Sequence, residues 1–396
     1  MIQLCGSIFP VFKECQRIEE VDAHTWNAIA GDQLLLRTPY LSSLEKGCTR
    51  YNRFRYVQWF NDNNEPIGIA YLQEIWFKGG HQKQQDELHF FARHIKDRML
   101  GPEGVKVLLC GNAYVAGNNG FKFVDGIDFE LQCEWIASWL REKIKTEDST
   151  FTLAGIKDLW EDQHAAMPAI QQAHFHGFKI DPVMKMDIDP RWKSIADYTS
   201  TLQAKYRTKY NAARKKGADL VKKSLSVDEI KQYLPAITSL FNQVLDRSRY
   251  HLGTFEPMAF LTQKSALGEE FDFSIWLHEE QPVAFATSIF NGTTLEANHV
   301  GLDYQKSNAM ALYSTLLYHY VDLAITHQMA HINFGRTADE IKSTVGAKPV
   351  HAYLFTRHKN SFSNQLIKPI LSAIHPAKAQ LHNPYLQEYR RSNGMP

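Results

Sequence analysis

Cysteine is scarce in this sequence, and its distribution matches no disulfide or zinc-site pattern. Five cysteines occur among 396 residues, and the last of them is Cys133. Their number is odd, and no two of them form a CxxC pair. Both a disulfide framework and a cysteine-based zinc site are therefore disfavoured. Reduced thiols, as in a cytoplasmic protein, are expected instead.

Long hydrophobic runs are also missing. No segment approaches the roughly 18–20 consecutive apolar residues that a membrane-spanning helix needs. The first residues, MIQLCGSIFPVFKECQ, contain no basic segment, and Pro10 and Lys13 interrupt their apolar stretch. This pattern is unlike a secretory signal peptide. We expect a cytoplasmic protein, of bacterial type, without a membrane span.

The sequence carries almost no net charge and no metal-ligand motif. Its 44 Lys and Arg residues balance 43 Asp and Glu residues, for a formal charge of +1. That balance disfavours a protein that coats nucleic acid with its whole surface. The 17 histidines are scattered, and His174 and His176 in HFHGF have no third ligand nearby. We expect no metal, and any anionic partner must be met by a local basic cluster.

One such cluster is present. The segment 205–220, KYRTKYNAARKKGADL, contains six basic residues and no acid before Asp219. On a helical wheel, small and aromatic residues share one seam: Tyr206, Tyr210, Ala213 and Gly217. Two interpretations remain, a solvated helix face or a clamp for phosphate, pyrophosphate or a nucleic-acid backbone. Because solvated helices usually interleave acids with lysines, the missing acids favour a clamp that faces a phosphate-bearing substrate.

Two parts of the chain repeat the same order of patterns. Residues 54–77 and 271–290 each begin with an alternating aromatic strand that ends in Trp. A polar turn, a Pro followed by an aliphatic residue, and a second apolar run come next in both. Each segment is predicted to form a β-hairpin. A chain of 396 residues is too long for one ordinary core, so the repetition predicts two similar domains.

The patterns after each hairpin also correspond. An apolar strand, a loop, an amphipathic helix and another strand follow, and HGFKIDPVMKMDI and KPVHAYLF are read as the final strands of the first and second half. Pro190 marks the expected boundary. We predict an α+β fold with domains at 1–190 and 191–365, each a mixed, mostly antiparallel sheet flanked by helices. A polar tail, 366–396, is expected to pack on the surface or to be partly disordered.

This order of elements resembles the GNAT acyltransferase fold, and particular residues resemble a narrower group. These are the tandem GNAT-like proteins related to the Fem peptidyltransferases and the BioF2-like acetyltransferase domain. Their second half carries a basic helix ending in Lys-Lys-Gly, a strand ending in Phe-Gly, and a Lys-x-x-aromatic-Gly element. Here these correspond to RTKYNAARKKG, to HINFG, and to IKSTVG with Lys342 and Gly346. Val345 replaces the aromatic residue, and the long helical arm of some Fem members is missing, which disfavours direct tRNA reading.

The resemblance places the GNAT cofactor loop at QKSNAM, residues 305–310. Such loops present bare backbone N–H groups to a pyrophosphate at a helix N-terminus. Gln305 fits the pattern, but Asn308 and Met310 stand where glycine and a small residue are usual. The candidate cofactor-binding residues are Gln305, Lys306, Ser307 and Asn308. In the first half, GNAYVAGNNGF is open to two interpretations, a phosphate nest or an ordinary connection.

The resemblance also implies site residues. Lys342 would stabilise the oxyanion of a tetrahedral intermediate, and Arg336 would be a second cation for a phosphate. Asp303 is the preferred general base or acceptor-binding carboxylate, and His299, Tyr304 and Tyr313 are other candidates. The candidate substrate- and phosphate-binding residues are Arg207, Arg214, Lys215, Lys216, Arg247, Gln305 and Asn308.

The function implied is an N-acyltransferase that forms an amide on an amine acceptor, in a cleft between the two domains. The donor would be acyl-CoA or another activated acyl group. Two alternatives stay open. One is a Fem-like peptidyltransferase that takes an aminoacyl group from tRNA and acts on a cell-wall precursor. The other is a catalytically inactive GNAT-like module that binds a phosphate-bearing ligand. The sequence predicts no oligomeric state.

Overall fold

The computed structural model of the chain describes residues 3–4, 7–77, 104–146, 151–247, 253–372 and 380–394. The strands are β1 (Gln3–Leu4), β2 (Ser7–Ile8), β3 (Val11–Cys15), β4 (Arg53–Phe60), β5 (Pro66–Phe77), β6 (Val105–Cys110), β7 (Phe121–Phe123), β8 (Leu153–Trp160), β9 (His176–Lys179), β10 (Val183–Asp187), β11 (Val221–Ser224), β12 (Phe271–His278), β13 (Gln281–Asn291), β14 (Thr294–Leu302), β15 (His331–Asn333), β16 (Lys348–Val350) and β17 (Ala352–His358). The α-helices are α1 (Ala23–Ala30), α2 (Thr38–Gly47), α3 (Phe129–Thr146), α4 (Met167–Gln172), α5 (Ile195–Ser200), α6 (Ala204–Lys216), α7 (Val227–Leu245), α8 (Ala259–Leu267), α9 (Tyr304–Met310), α10 (Leu312–Thr326), α11 (Asp339–Ser343), α12 (Ser361–Ser372) and α13 (Gln387–Ser392).

The chain folds into two compact units, and neither is a single continuous range. The first unit comprises Met1–Asp181, Arg249–Glu256 and His351–Pro376. The second unit comprises Pro182–Ser248, Pro257–Val350 and Ala377–Pro396. The ranges 1–190, 191–365 and 366–396 stay a prediction of domain extents, and below we use the two units.

The first unit is built on one mixed sheet. Its strand order is β3-β4-β5-β6-β8-β17-β9, and β7 also pairs with β5. The predicted hairpin at 54–77 is confirmed as β4 and β5, with Pro66 as the first residue of its strand. Helix α3 packs on the sheet through residues that recur every three or four positions, such as Cys133, Ile136 and Leu140. This spacing gives an amphipathic helix one apolar face.

The second unit has a sheet of similar design. Its strand order is β11-β12-β13-β14-β15-β10-β16, and only β14 and β15 are parallel. The predicted hairpin at 271–290 is confirmed as β12 and β13. The amphipathic helix predicted after this hairpin is α10, and Leu312, Leu316 and Leu317 form a buried apolar stripe on it. The mixed, mostly antiparallel α+β fold that the sequence predicts is confirmed in both units.

The pairing of the last strands differs from the prediction. The sequence predicted 176–188 to be one strand pair of the first half, but β9 and β10 belong to different sheets. Strand β9 pairs with β17 in the first unit, whereas β10 lies between β15 and β16 in the second. The stretch 348–358 is divided in the same way, because β17 pairs with β8 and β9 of the first unit. Each half of the sequence therefore gives one strand to the other half's sheet.

The described part of the C-terminal tail, 380–394, packs into the second unit. Tyr385 is only 2% exposed. The rings of Tyr385 and Tyr389 both stack on Trp192, with ring centroids 6.3 and 6.0 Å from the indole. The side-chain amide of Gln203 donates to two carbonyl groups of the tail. These residues are part of the fold, and the two aromatic residues in this polar stretch, Tyr385 and Tyr389, are the sequence signal that could have suggested it.

Candidate active site of the second unit

The two parallel strands of the second sheet part from each other. They pair only from Thr294 and His331 to Glu296 and Asn333. Beyond that point β14 continues along β13, while the chain after β15 follows β10, where the N–H of Phe334 donates to the carbonyl of Met184. We call the region between the two strands beyond their last paired residues, at their carboxyl ends, the opening. Open sheets commonly bind ligands at such carboxyl ends.

A bulge lies on the part of β14 that borders this opening. The register of β13 and β14 shifts between Ala286 and Ser288. Thr287 faces the bulge, and its hydroxyl is 2.9 Å from the N–H of His299 and 3.3 Å from the carbonyl of the same residue. Both polar atoms of the Asn298 side chain are buried, without a hydrogen-bond partner among the described residues. A buried unpaired amide is unfavourable, so Asn298 is a candidate ligand-binding group. No motif in the sequence pointed to it.

The loop after β15 adopts an uncommon backbone conformation. Gly335, Thr337 and Ala338 have φ values of +69°, +66° and +54°. Positive φ is unfavourable for residues with a Cβ, and most of all for a β-branched residue such as Thr337. Backbone strain of this kind clusters at functional sites. The loop presents Arg336, which is half-buried, at the carboxyl end of β15.

Lys342 lies beneath this loop. Its side chain is buried, and its Nζ donates hydrogen bonds to the carbonyl groups of Arg336 (2.8 Å) and Gly335 (3.3 Å). Burial lowers the pKa of Lys342 to about 7, and Asp339 only partly opposes this effect. Its direct role at an oxyanion stays a prediction. The contacts that the structure gives it hold the strained loop in place.

Two tyrosines and an arginine stand near the same end of the strands. Burial raises the pKa of Tyr313 well above its usual value, and the charges of Tyr304 and Asp339 add to the effect. Tyr313 therefore remains a hydroxyl donor at physiological pH and is a poor candidate for the general base. The guanidinium carbon of Arg247 lies 3.6 Å from the ring centroid of Tyr304, a stacking geometry typical of arginine.

Asp303 and the segment that resembles a cofactor loop form one structure. Residues 305–310 lie in helix α9, and Asp303 is its N-cap. The N–H of Gln305 donates to the Asp303 carboxylate (2.9 Å), and the N–H of Tyr304 donates to the side-chain oxygen of Gln243 (3.3 Å). The N–H of Lys306 donates to the Asp303 carbonyl. A pyrophosphate at this terminus would have to displace these acceptors and approach a carboxylate.

The other candidate residues are distributed as follows. The ring of His299 lies against Phe241 and Phe260, and burial lowers its pKa to about 3, so it is neutral at physiological pH. In the basic helix α6, Tyr206 and Ala213 of the predicted seam are buried. Three of its basic residues, Arg214, Lys215 and Lys216, are exposed, and Lys216 donates to the carbonyl of Asn308.

Arg207 differs from these exposed residues. It is half-buried and donates to the carbonyl of Leu202, one turn before it in the chain. The contacts of Arg207 are therefore those of a helix-start residue, and its predicted role in binding phosphate stays a prediction.

The glycine-rich loop of the first unit has its amide groups occupied. Asn112 accepts from the N–H groups of Tyr114 and Val115, and Asp158 accepts from that of Gly117. Lys157, beside Asp158, donates to the carbonyl of Val115. Because protein side chains already hold these donors, the structure favours the ordinary connection over a phosphate nest.

Within the described ranges, no group of three or more His, Cys, Asp or Glu side chains could hold a metal ion. No helix in the same ranges is long and apolar enough to cross a bilayer.

Comparison with known proteins gives likenesses in structure. No family model and no curated protein matches the sequence. The fold is similar to that of FemX, with a TM-score of 0.55 and 13% identity, over 90% of this chain and 100% of FemX. It is also similar to a conserved protein of unknown function from Bacteroides thetaiotaomicron, with a TM-score of 0.51 and 13% identity, over 88% and 99% of the two chains. At such identities these likenesses show the fold, and they confirm the tandem GNAT-like, Fem-like fold that the sequence resemblance implied.

Proposed function

We propose that this protein is an amide-forming acyltransferase whose reaction takes place in the second unit. The observation that carries the proposal is the parting of β14 from β15. The opening is bordered by an unpaired buried amide, Asn298, and by a strained loop that carries Arg336. The general class, a transferase of the GNAT and Fem type, is supported by the fold shared with FemX.

The residues around the opening supply the parts that acyl transfer requires. The attacked carbonyl must be polarised, the acceptor amine must lose a proton, and the leaving group must be protonated. In this proposal the side-chain amide of Asn298 binds the attacked carbonyl. The hydroxyl of Tyr313 donates a proton to the leaving group. Asp303 is the proposed base. Lys342 is a positioning residue, because it reaches the site through the loop carbonyls of Gly335 and Arg336.

We propose that the donor is an activated acyl group that does not bind through a pyrophosphate at the N-terminus of α9. The carboxylate of Asp303 and the side chain of Gln243 occupy the first amide groups of that helix. This observation favours the second candidate, transfer of an aminoacyl group carried by tRNA, over a standard acyl-CoA pocket. The acceptor is proposed to be an amine, with a cell-wall precursor as the Fem-like form of the proposal.

Thermal unfolding with a donor panel tests the proposal. Acetyl-CoA, longer acyl-CoA, free CoA, and charged and uncharged tRNA are added to the full chain, because a ligand of the folded state raises Tm by mass action. We expect charged tRNA to raise Tm more than uncharged tRNA does, or an acyl-CoA to raise it more than free CoA does. No shift with any donor would overturn the proposal and favour an inactive module that binds another ligand.

A variant of Asn298 locates the site. Replacing an unpaired buried amide with an apolar group is neutral or stabilising, so Asn298→Leu should unfold at or above the wild-type Tm and lose the donor shift. Ser288→Ala is the matched control, because Ser288 on β13 has a buried hydroxyl without a partner among the described residues. This control should keep the donor shift. A donor shift that survives Asn298→Leu would place the donor elsewhere.

A further inference from the structure

A groove on the second unit lies between the basic helix α6 and α10. Its volume is about 290 Å³ and it is open to solvent. This size is at the lower end of small-molecule sites. Its lining does not include Asn298, Arg336 or Lys342, so it is distinct from the candidate active site.

The groove has two chemically different ends. Thr315 and Asp322 line it seven residues apart on α10, a separation of about 10 Å along a helix. Gly217 stands beside Thr315, because a Cβ at Gly217 would lie 3.5 Å from the Thr315 hydroxyl oxygen. The last turn of the basic helix therefore lies at the Thr315 end, and the guanidinium carbon of its exposed Arg214 lies 5.8 Å from the ring centroid of Tyr210.

The other end pairs a cation with a carboxylate. The Nζ of Lys222 lies 3.3 Å from Nδ1 of His319, and the charge of Asp322 acts on the same imidazole. Burial lowers the pKa of His319, so the ring is neutral at physiological pH. Its Nε2 is 3.6 Å from Asp272, which favours the proton on Nε2. Nδ1 then accepts from Lys222 and fixes the ammonium group at this end.

Aromatic rings form the walls between the two ends. Tyr210 and Tyr318 meet edge to face with centroids 4.9 Å apart, and Trp276 meets His319 in the same way at 5.0 Å. All four residues line the groove. Aromatic walls of this kind suit a planar ring. Among the described residues that line the groove, Asp322 is the one acidic residue, and Arg214 and Lys222 are the two basic residues.

We propose that this groove binds a mononucleotide. Its phosphate lies at Arg214, where a guanidinium can donate two hydrogen bonds. The base lies between the aromatic walls, and its edge reaches Lys222 and Asp322. An ammonium donates to a carbonyl oxygen and a carboxylate accepts from an N–H, so the pair suits bases with both groups side by side, guanine and uracil. This site is independent of acyl transfer and accounts for part of the positive charge on the basic helix.

Isothermal titration of the full chain tests this site. GMP, UMP, AMP, CMP, guanosine and inorganic phosphate are titrated separately at low salt. We expect GMP and UMP to bind about tenfold or more tightly than AMP and CMP. Arg214→Gln should weaken every nucleotide about 10- to 100-fold and leave guanosine unchanged. Asp322→Asn should remove the preference for GMP over AMP.

Lys209→Gln is the control for charge. It removes the same charge from the same helix, from an exposed residue that does not line the groove, and it should leave affinity unchanged. Arg214, Lys222 and Asp322 are also exposed, so their variants should fold, and unchanged Tm values would verify this.

Three results would overturn the proposal. They are no binding of any nucleotide, binding of phosphate as tight as that of GMP, or equal losses for Arg214→Gln and Lys209→Gln. The last two would indicate attraction by charge alone.

Discussion

Gly346 and Tyr385 fit so closely that only a hydrogen has room on the glycine. A Cβ built on Gly346 would overlap the tyrosine hydroxyl, and the glycine has a φ of +107°. The turn that follows Lys342 is in this way held against the C-terminal segment. The N–H of His382 in that segment also donates to the hydroxyl of Ser343. In this protein, the backbone conformation and the close contact with Tyr385 therefore explain why the Lys-x-x-aromatic-Gly element ends in glycine.

Replacing this glycine should destabilise the second unit. Gly346→Ala combines an unfavourable φ with a steric overlap, and we expect a loss of roughly 2–5 kcal/mol in the free energy of unfolding. Gly268→Ala is the control, because its φ is +55° but nothing lies within 4 Å of its Cβ. Urea denaturation should show the smaller loss for Gly268→Ala. Equal losses of stability in the two variants would mean that the close contact with Tyr385 does not add to the cost of the positive φ.

The stability of the protein should depend on pH through Lys342. Its pKa in the folded protein is about 7, whereas a lysine in an unfolded chain titrates near 10.4. Between these values the unfolded chain binds more protons than the folded one, so stability rises with pH, by at most about 1.4 kcal/mol per pH unit. From pH 7 to pH 10 the unfolding free energy of wild type should therefore rise relative to that of Lys342→Met. A difference that stays constant over this range would contradict the burial of the amine.

The first unit should depend on the pair Lys157 and Asp158. Both side chains are buried and paired, and Asp158 also accepts from the N–H of Gly117. Asp158→Asn removes the charge but tolerates the positive φ of +62° at this position. Because a buried ammonium then lacks its carboxylate, we expect a loss of roughly 3–5 kcal/mol. The double variant Lys157→Met, Asp158→Asn should recover part of this loss. Denaturant unfolding of wild type, Asp158→Asn, Lys157→Met and the double variant measures the coupling.

Asp303 can be tested as a base separately from its role as a cap. Asparagine caps helices about as well as aspartate, so Asp303→Asn should keep the wild-type Tm. If Asp303 is the general base, the rate of acyl transfer should fall roughly 10²- to 10⁴-fold. Asp303→Ala should lower both the rate and Tm. A wild-type rate in Asp303→Asn would show that Asp303 caps the helix and is not the general base.

The local elements of the fold were predictable from the sequence. The hairpins β4–β5 and β12–β13 follow from alternating apolar residues around short polar turns, which is a local pattern. The stripe on α10 and the seam on the basic helix follow from the helical period. The motifs around Gly335 and Lys342 likewise led to the loop and helix that border the opening. Each of these inferences needed only residues close together in the chain.

The candidate site was predictable only in part. Lys342 was chosen by resemblance and Asp303 as a candidate base, but the cap on α9 and the carbonyl contacts of Lys342 depend on the backbone of a folded loop. Asn298 was not chosen from the sequence, and Tyr313 was chosen only as a candidate base. Their unpaired amide and raised pKa arise from burial, which is a property of the packed structure.

The sequence by itself determined which segments are strands and helices, and where positive charge is concentrated. Only the tertiary structure decided that β10 and β17 exchange sheets, because a strand pattern specifies a buried face and not a hydrogen-bonding partner. It also decided that the polar C-terminal segment is held by Trp192 and Gly346. Contacts between residues so distant in the chain depend on the shape of the completed core, which no local pattern contains.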